Sequence, residues 1–524
     1  MRLVPICLLA CSALTAQKQP AKPDPAKRFF ASRPILEVAI TLAPENRQKL
    51  RDRPREYVPA TIAIDGNKKG WPKVGVKLKG AAGSFRKIDD RPGFTVNLGK
   101  FGSQQRLHGL KRFHLNNGRQ DDSRLSEWLA HEIFTSAGYP APRVGHAIVT
   151  LDGKLLGLYV LRESFDKRFL LRTLGKTNGC LYDGGFCQDI DRSLERDSGD
   201  GPRDHSDLVK LREACEMMNK GRTVKLESVM NIERFIDFMA LEAMVCHWDG
   251  YCQNRNNFRL WLSSELGQSM FFPHGMDQLF GKAHASILEH PSAIVADAVQ
   301  QHPDWRQLYR KRLKKLLPHL KYRSLNKKLK AQGAKLERIL KRHDKDQARK
   351  LSHAVQNLMG KVTARYKNLE KQVRAPEPKP LAFKGKRPIK LGDWNPSGET
   401  DHIELKKRST GGTTLHIACK SAGSKERRGA YRKTVMLKRG TYRLTAMVRT
   451  DDVQALQKGG GGVRIMADKS ASGALLGDTK WTEVNCEFEV TKLTSNVQLR
   501  LELRGRDGKA WFRLSSIKLT LIDA

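Results

Sequence analysis

Acidic side chains are scarce in this 524-residue chain: 55 Asp and Glu stand against 96 Lys and Arg, for a formal net charge of +41. That deficit implies attraction to polyanions such as nucleic acid, acidic polysaccharide, anionic lipid or acidic protein, and carries no information about fold. The basic residues are not gathered in one tail, so charge alone does not assign a nucleic-acid function. Long apolar runs are missing too. Beyond the first 16 residues no stretch approaches the length of a transmembrane helix, so no spanning segment is expected. Cysteine is sparse: seven lie past that point, at 180, 187, 215, 246, 252, 419 and 486. An odd number excludes complete intramolecular pairing. Cys180/Cys187 and Cys419/Cys486 are candidate bridges, while Cys246 and Cys252, which flank Asp249, read as buried free thiols rather than a metal pair. With 39% hydrophobic and 29% charged residues the chain is neither fibrous nor wholly disordered, and its length suits two or three domains.

Met1-Arg2, the apolar run Leu3 to Leu14 and small residues to Ala16 read as a secretory signal peptide over 1–16. Leu8-Leu9-Ala10-Cys11 also suits a lipoprotein box that would anchor Cys11. Either reading gives an exported protein: secreted, periplasmic or at the cell surface. Residues 17–33, rich in Pro, Lys and Ala, predict a flexible leader. Residues 34–162 alternate apolar and polar in strand fashion, with Asp152-Gly153 as a hairpin turn and one helix capped by Ser123 over Arg124–Ala137. Residues 163–301 are mostly helical, with a long loop over 183–206. A set of basic amphipathic helices follows over 302–374, then a Pro-rich linker over 375–388. Residues 389–524 return to short alternating strands and predict a separate β-sandwich, jelly-roll-like, of the kind appended to secreted enzymes as carbohydrate-binding modules. Trp481 and Trp511 are candidate sugar platforms there, with core packing as the plainer role. The order of elements gives an α+β fold.

Residues 236–281 hold the densest chemistry. A helix with an apolar face ends in His247-Trp248-Asp249-Gly250-Tyr251. The amides Asn254, Asn256 and Asn257 follow, then a short hairpin, then Asp277 ahead of Phe280-Gly281. Two aspartates at the ends of apolar elements, separated by amides, can hold a divalent cation against phosphate oxygens while one accepts a proton. Protein kinases use the same order of parts. The plainer account is that Asp and Asn here merely cap and turn. Against it stands the concentration of polar groups between elements that would otherwise bury none. Val74–Phe85, a strand running into Gly80-Ala81-Ala82-Gly83-Ser84, can offer backbone N–H groups to an anion, or simply turn.

Taken together, Val74–Gly80, Leu115-Asn116-Asn117, Gly138–Arg143, Gly157–Glu163, Trp248–Tyr251 with Asn256-Asn257, and Met276–Gly281 resemble the spore coat protein H (CotH) family of secreted kinase-like proteins, over roughly residues 36–320. The resemblance implies an atypical, bilobal protein-kinase-like fold and transfer of the ATP γ-phosphate to Ser or Thr of exported or cell-surface proteins, with Mg²⁺ or Mn²⁺. By position, Asp249 would orient and deprotonate the acceptor hydroxyl, Asp277 would be the main metal ligand, and Asn254 or Asn257 would help hold the metal. Relatives show a Lys before the strand Phe94–Leu98, where this chain has Arg91. Lys79 is the substitute cation, with Glu132 or Glu127 as its partner. Glu163 joins these cofactor-binding residues. The alternative function is a catalytically weak or inactive, kinase-like scaffold bound to a polyanionic surface matrix, with the sandwich holding an acidic polysaccharide or other glycan. Nucleic-acid binding rests on charge alone and is the least favoured.

Overall fold

The computed structural model describes residues 24–67, 69–102, 104–219, 224–265, 267–288, 291–376, 379–398, 403–408, 412–419, 427–454 and 461–523. The expected signal peptide over 1–16, Cys11 with it, and residues 17–23 of the expected leader lie outside the described residues. The chain forms two compact units: residues 1–181, 196–201 and 326–359 make the first, and 182–195, 202–325 and 360–524 the second. This is not the sequence division at 162/163. The basic helical segment is shared between the units, and the all-β part stays with the second.

In the first unit, seven strands close into a barrel: β1 (Ile35–Thr41), β2 (Val58–Ile64), β3 (Trp71–Lys79), β4 (Gly93–Asn97), β5 (Arg112–Asn116), β6 (Val144–Leu151) and β7 (Lys154–Glu163). Their order is β1-β2-β3-β4-β5-β7-β6, and β6 returns to pair in parallel with β1. Alternation decides which side chains fill the interior: Val38, Ile40, Val74, Val76, Leu78, Phe94, Val96, Phe113, Leu115 and Tyr159 share one core. Each such side chain contributes roughly 1.5–3 kcal/mol on leaving water. Asp152 and Gly153 both take positive φ and turn β6 into β7, as their sequence anticipates.

Part of the expected flexible leader is ordered. Ala26–Ala31 is helical, and Phe29 and Phe30 are buried in the barrel core. Two aromatic side chains with an apolar pocket at hand outweigh the Lys- and Pro-rich composition around them. The helix expected over Arg124–Ala137 runs from Ser126 to Ser136. Its start is held by Asp121, whose Oδ2 accepts from the Ser126 N–H at 2.8 Å, while the Ser123 hydroxyl accepts from Leu125 N–H at 3.1 Å.

In the second unit, the Ile232–Met244 helix buries Phe235, Ile236, Phe238, Met239 and Leu241. The hairpin β8 (Phe258–Ser263) and β9 (Met270–Pro273) stacks Phe258 and Phe271 on Tyr251, with centroids 4.6 and 4.3 Å away. The all-β part is a ten-stranded sheet with its own apolar core. Lys492 Nζ to Asp297 Oδ2 (2.5 Å) and Arg306 Nη1 to Thr494 Oγ1 (2.8 Å) tie it to the helices of its unit, so it is not a detached module. The expected loop over 183–206 contains a short strand, Glu195–Gly199. No disulfide joins any of the seven described cysteines, and six of them are buried. The candidate Cys180/Cys187 and Cys419/Cys486 bridges are therefore not formed. No described helix is long and apolar enough to cross a membrane.

Candidate active site

The Ile232–Met244 helix ends where the chain turns sharply through Cys246, at φ +54°. The loop that follows is held from beneath by Glu242, a helix residue whose carboxylate accepts from the N–H groups of Tyr251 (3.2 Å) and Cys252 (3.0 Å). Burial pushes the Glu242 carboxyl up to about 7, against the pull of those two donors. His247, pushed down to about 4 by burial, packs behind the loop, its Nε2 3.0 Å from the His274 carbonyl.

On this base Asp249 is half-buried and surrounded by amides. Its Oδ1 accepts from Asn254 Nδ2 (2.6 Å) and Asn256 Nδ2 (3.1 Å). Asn257 Nδ2 reaches both Asp249 Oδ2 (2.8 Å) and the Asp249 backbone carbonyl (3.0 Å). Arg255 and Asn257 take positive φ, which folds the amide segment back over the aspartate. The polar cluster seen in the sequence is thus one network with the aspartate at its centre.

The segment bearing Asp277 is laced to this loop on both sides. His274 N–H donates to Asn257 O at 3.0 Å, and Phe280 N–H to Val245 O at 2.9 Å. Between them Gly275 (φ +56°) passes so close that a Cβ would lie 2.2 Å from Asn257 Oδ1, so only glycine fits. Beneath both segments lies Arg365, fully buried and 121 residues beyond Met244. Its guanidinium donates to the carbonyls of Ala243, Met244, Ala283 and Ala285 at 2.6–3.1 Å. Nothing in the sequence singled it out, because its partners are backbone carbonyls far away in the chain.

The remaining site residues lie in the first unit. Lys79 Nζ donates to Asn116 Oδ1, and Asn116 Nδ2 donates to Glu127 Oε1 at 2.6 Å. Glu127 Oε2 is 3.9 Å from Arg162 Nε. Lys79 therefore reaches Glu127 through an intervening amide. The structure brings Glu127, not Glu132, into this chain. Glu132 pairs with Arg33 (3.3 Å) and Lys328 (2.9 Å). Glu163 is buried between Arg143 (2.7 Å) and Arg172 (2.8 Å), which hold its carboxyl below the usual carboxylate range despite its burial. Its surroundings are those of a structural ion triad. Arg91 donates to the Leu158 carbonyl at 2.5 Å and lies 5.2 Å over the Tyr159 ring. Asn116 and Arg162 went unassigned in the sequence, although Leu115-Asn116-Asn117 stood out as a motif. Among the described residues, no group of three or more His, Cys, Asp or Glu side chains gathers for a metal ion.

The CotH kinase protein family model matches residues 76–373, more than half of the chain. The inner spore coat protein H of Bacillus subtilis (strain 168) is 23% identical over 190 residues, covering 34% of this chain and 52% of that protein. The chain thus spans about half the length of the curated relative it matches. Among solved structures, TmCBM61 in complex with β-1,4-galactotriose is similar at a TM-score of 0.18 and 17% identity, over 25% of this chain and 88% of that one. The Clostridium thermocellum xylanase 10B CBM22-1–GH10 modules with xylohexaose give 0.17 and 14%, over 24% and 26%. Likeness at these scores says nothing about what this chain binds.

Proposed function

The chain belongs to the CotH kinase protein family, and from that premise we propose that it is an exported atypical protein kinase, passing the ATP γ-phosphate to Ser or Thr of exported or cell-surface proteins with Mg²⁺ or Mn²⁺. The observation that carries the reading is Asp249, a half-buried carboxylate oriented by three side-chain amides, with the Asp277 segment bound to the same loop. The donor set suits a hard cation: carboxylate and amide oxygens, with no thiolate or imidazole needed. Asp277 would hold it together with the Asn254 or Asn257 carbonyl oxygen. When bound, the cation neutralises the charge of the transferring phosphoryl group.

This chain's residues do the rest. Asn254, Asn256 and Asn257 fix the Asp249 carboxylate so that a lone pair is presented to the acceptor hydroxyl and takes its proton. Lys79, positioned by Asn116 and Glu127, supplies a compact positive charge for the nucleotide phosphates. Glu242 and Arg365 hold the loop rigid from beneath, which matters because phosphoryl transfer depends chiefly on positioning. Export rests on the apolar run Leu3 to Leu14. The test is transfer of labelled phosphate from ATP to exported acceptor proteins. Wild-type transfer lost in Asp249→Asn and Asp277→Ala supports the reading, and transfer that persists in both overturns it.

A second reading, a weakly catalytic scaffold on an acidic matrix, is favoured by one observation. Arg449 lies 4.6 Å over Trp511 on the strand paired with its own, and Arg513 lies 4.6 Å over Trp481. A tryptophan face already carrying a guanidinium suits an acidic sugar better than a neutral one. Absence of nucleotide binding alongside retention on acidic polysaccharide would select this reading.

A further inference from the structure

The first unit holds two adjoining hollows, of about 310 and 470 Å³, lined by none of the residues of the amide network around Asp249. Arg91, Arg119, Asp122 and Arg124 line both. Arg86 adds a further cation to the smaller hollow and Lys350 one to the larger, so five permanent positive charges face this space. Only two carboxylates oppose them. Asp90 is taken by Arg86 at 3.4 Å, and Asp122, almost fully exposed, is 3.9 Å from Arg124.

The two central arginines are held by neutral groups. Arg91 donates to the Leu158 carbonyl and stacks on Tyr159, whose hydroxyl donates to Pro92 O at 2.9 Å. Arg124 donates to the Asp121 backbone carbonyl. The Nε atoms of both are buried without a hydrogen-bond partner. Arg124 is pushed down to about 10, first by burial and then by Arg91 beside it. Two neighbouring guanidinium groups with buried Nε atoms, and only the distant, exposed Asp122 carboxylate set against them, cost free energy that a bound anion would return.

The space is also kept open by backbone. Gly118 (φ +60°) passes where a Cβ would lie 2.1 Å from Arg124 Cδ. Gly157 (φ +94°) faces Gln347 and Arg91, where a Cβ would lie 3.0 Å from Gln347 Oε1. Glycine at both positions lets the arginine side chains lie against main chain instead of reaching into solvent.

We propose that this arginine-lined cavity is a binding site for a small, multiply charged phosphate anion, built from none of the residues of the Asp249 network. Its size suits a pyrophosphate-scale or phosphorylated small molecule. Guanidinium forks match phosphate oxygens in geometry as well as charge, which explains why arginine supplies four of the five cations.

The experiment is calorimetric titration of pyrophosphate into the full chain without metal or nucleotide. Wild type, Arg91→Ala/Arg124→Ala, Lys350→Glu and Asp249→Asn are compared, each with a melting curve to confirm folding. The expected result is an affinity reduced at least tenfold in the double variant, reduced several-fold in Lys350→Glu, where the side chain is exposed and folding is not at stake, and unchanged in Asp249→Asn. Unchanged affinity in Lys350→Glu together with a folded double variant that still binds overturns the proposal. So does equal binding of sulfate and pyrophosphate with the same salt dependence, which would reflect only the +41 charge. Competition by ATP together with loss of nucleotide binding in Lys350→Glu would make the cavity the nucleotide's own phosphate site and overturn the proposal. Loss of phosphate transfer in Asp249→Asn with pyrophosphate binding intact keeps the two readings distinguishable.

Discussion

Asn257 holds Asp249 twice, one amide nitrogen lying 3.0 Å from the aspartate's backbone carbonyl and 2.8 Å from its Oδ2. That fork fixes both where the residue sits and which way its carboxylate faces. Asn257→Ala is expected to leave the fold intact and lower kcat for phosphate transfer by about 100-fold, within the range that general-base positioning contributes. Steady-state kinetics with labelled ATP decides it. A fall in KM affinity with kcat unchanged would mean that the amide serves binding alone.

Glu127 and Glu132 lie five residues apart, and only Glu127 is joined to Lys79, through Asn116. Glu127→Ala is expected to weaken nucleotide binding by about tenfold or more, since losing one buried, charge-assisted link costs roughly 1.5–3 kcal/mol. Glu132→Ala, which breaks only the half-exposed pairs with Arg33 and Lys328, should change binding less than twofold and stability by under ~1 kcal/mol. Fluorescent-nucleotide titration of both variants is the check.

Arg365 satisfies four backbone carbonyls with one buried guanidinium. Arg365→Met keeps much of the volume and strands those acceptors, so it should cost at least ~3 kcal/mol in denaturant unfolding. Arg365→Lys should recover little, because an ammonium cannot span acceptors placed for a planar fork.

Glu242 gives the fold a pH dependence of its own. Its carboxyl is raised from 4.5 to about 7 by burial, so folding takes up a proton between those values. Its contribution is present in full below pH 4.5 and is lost as pH rises through 7, about 3 kcal/mol in all. Glu242→Gln removes that slope. Melting temperatures at pH 5 and pH 8 should show the variant gaining on wild type at the higher pH, and parallel curves would contradict the assignment.

The amide cluster was legible in the sequence because Asp249, Asn254, Asn256 and Asn257 lie within nine residues, where local turns bring side chains together. Lys79 and Glu127 could only be proposed, not paired, because Asn116 mediates their contact and its role depends on β3, β4 and β5 lying in register. The Ala26–Ala31 part of the expected leader is helical instead, because composition does not register Phe29 and Phe30 finding a place in the barrel core. The expected disulfides failed for a related reason: spacing along the chain does not fix where thiols point once strands and helices are packed.

By itself the sequence determined the alternation that builds the strands, the Asp152-Gly153 turn, the apolar helix ahead of Asp249 and the polar loop after it. These follow from neighbours within a few residues, whose preferences the chain carries locally. The tertiary structure alone decided that Arg365 braces the Asp249 loop, that Glu127 serves Lys79, and that Arg91 and Arg124 share one cavity. Those pairings join residues tens to over a hundred positions apart, and only barrel closure and helix packing, driven by burial of the whole apolar core, bring them within reach.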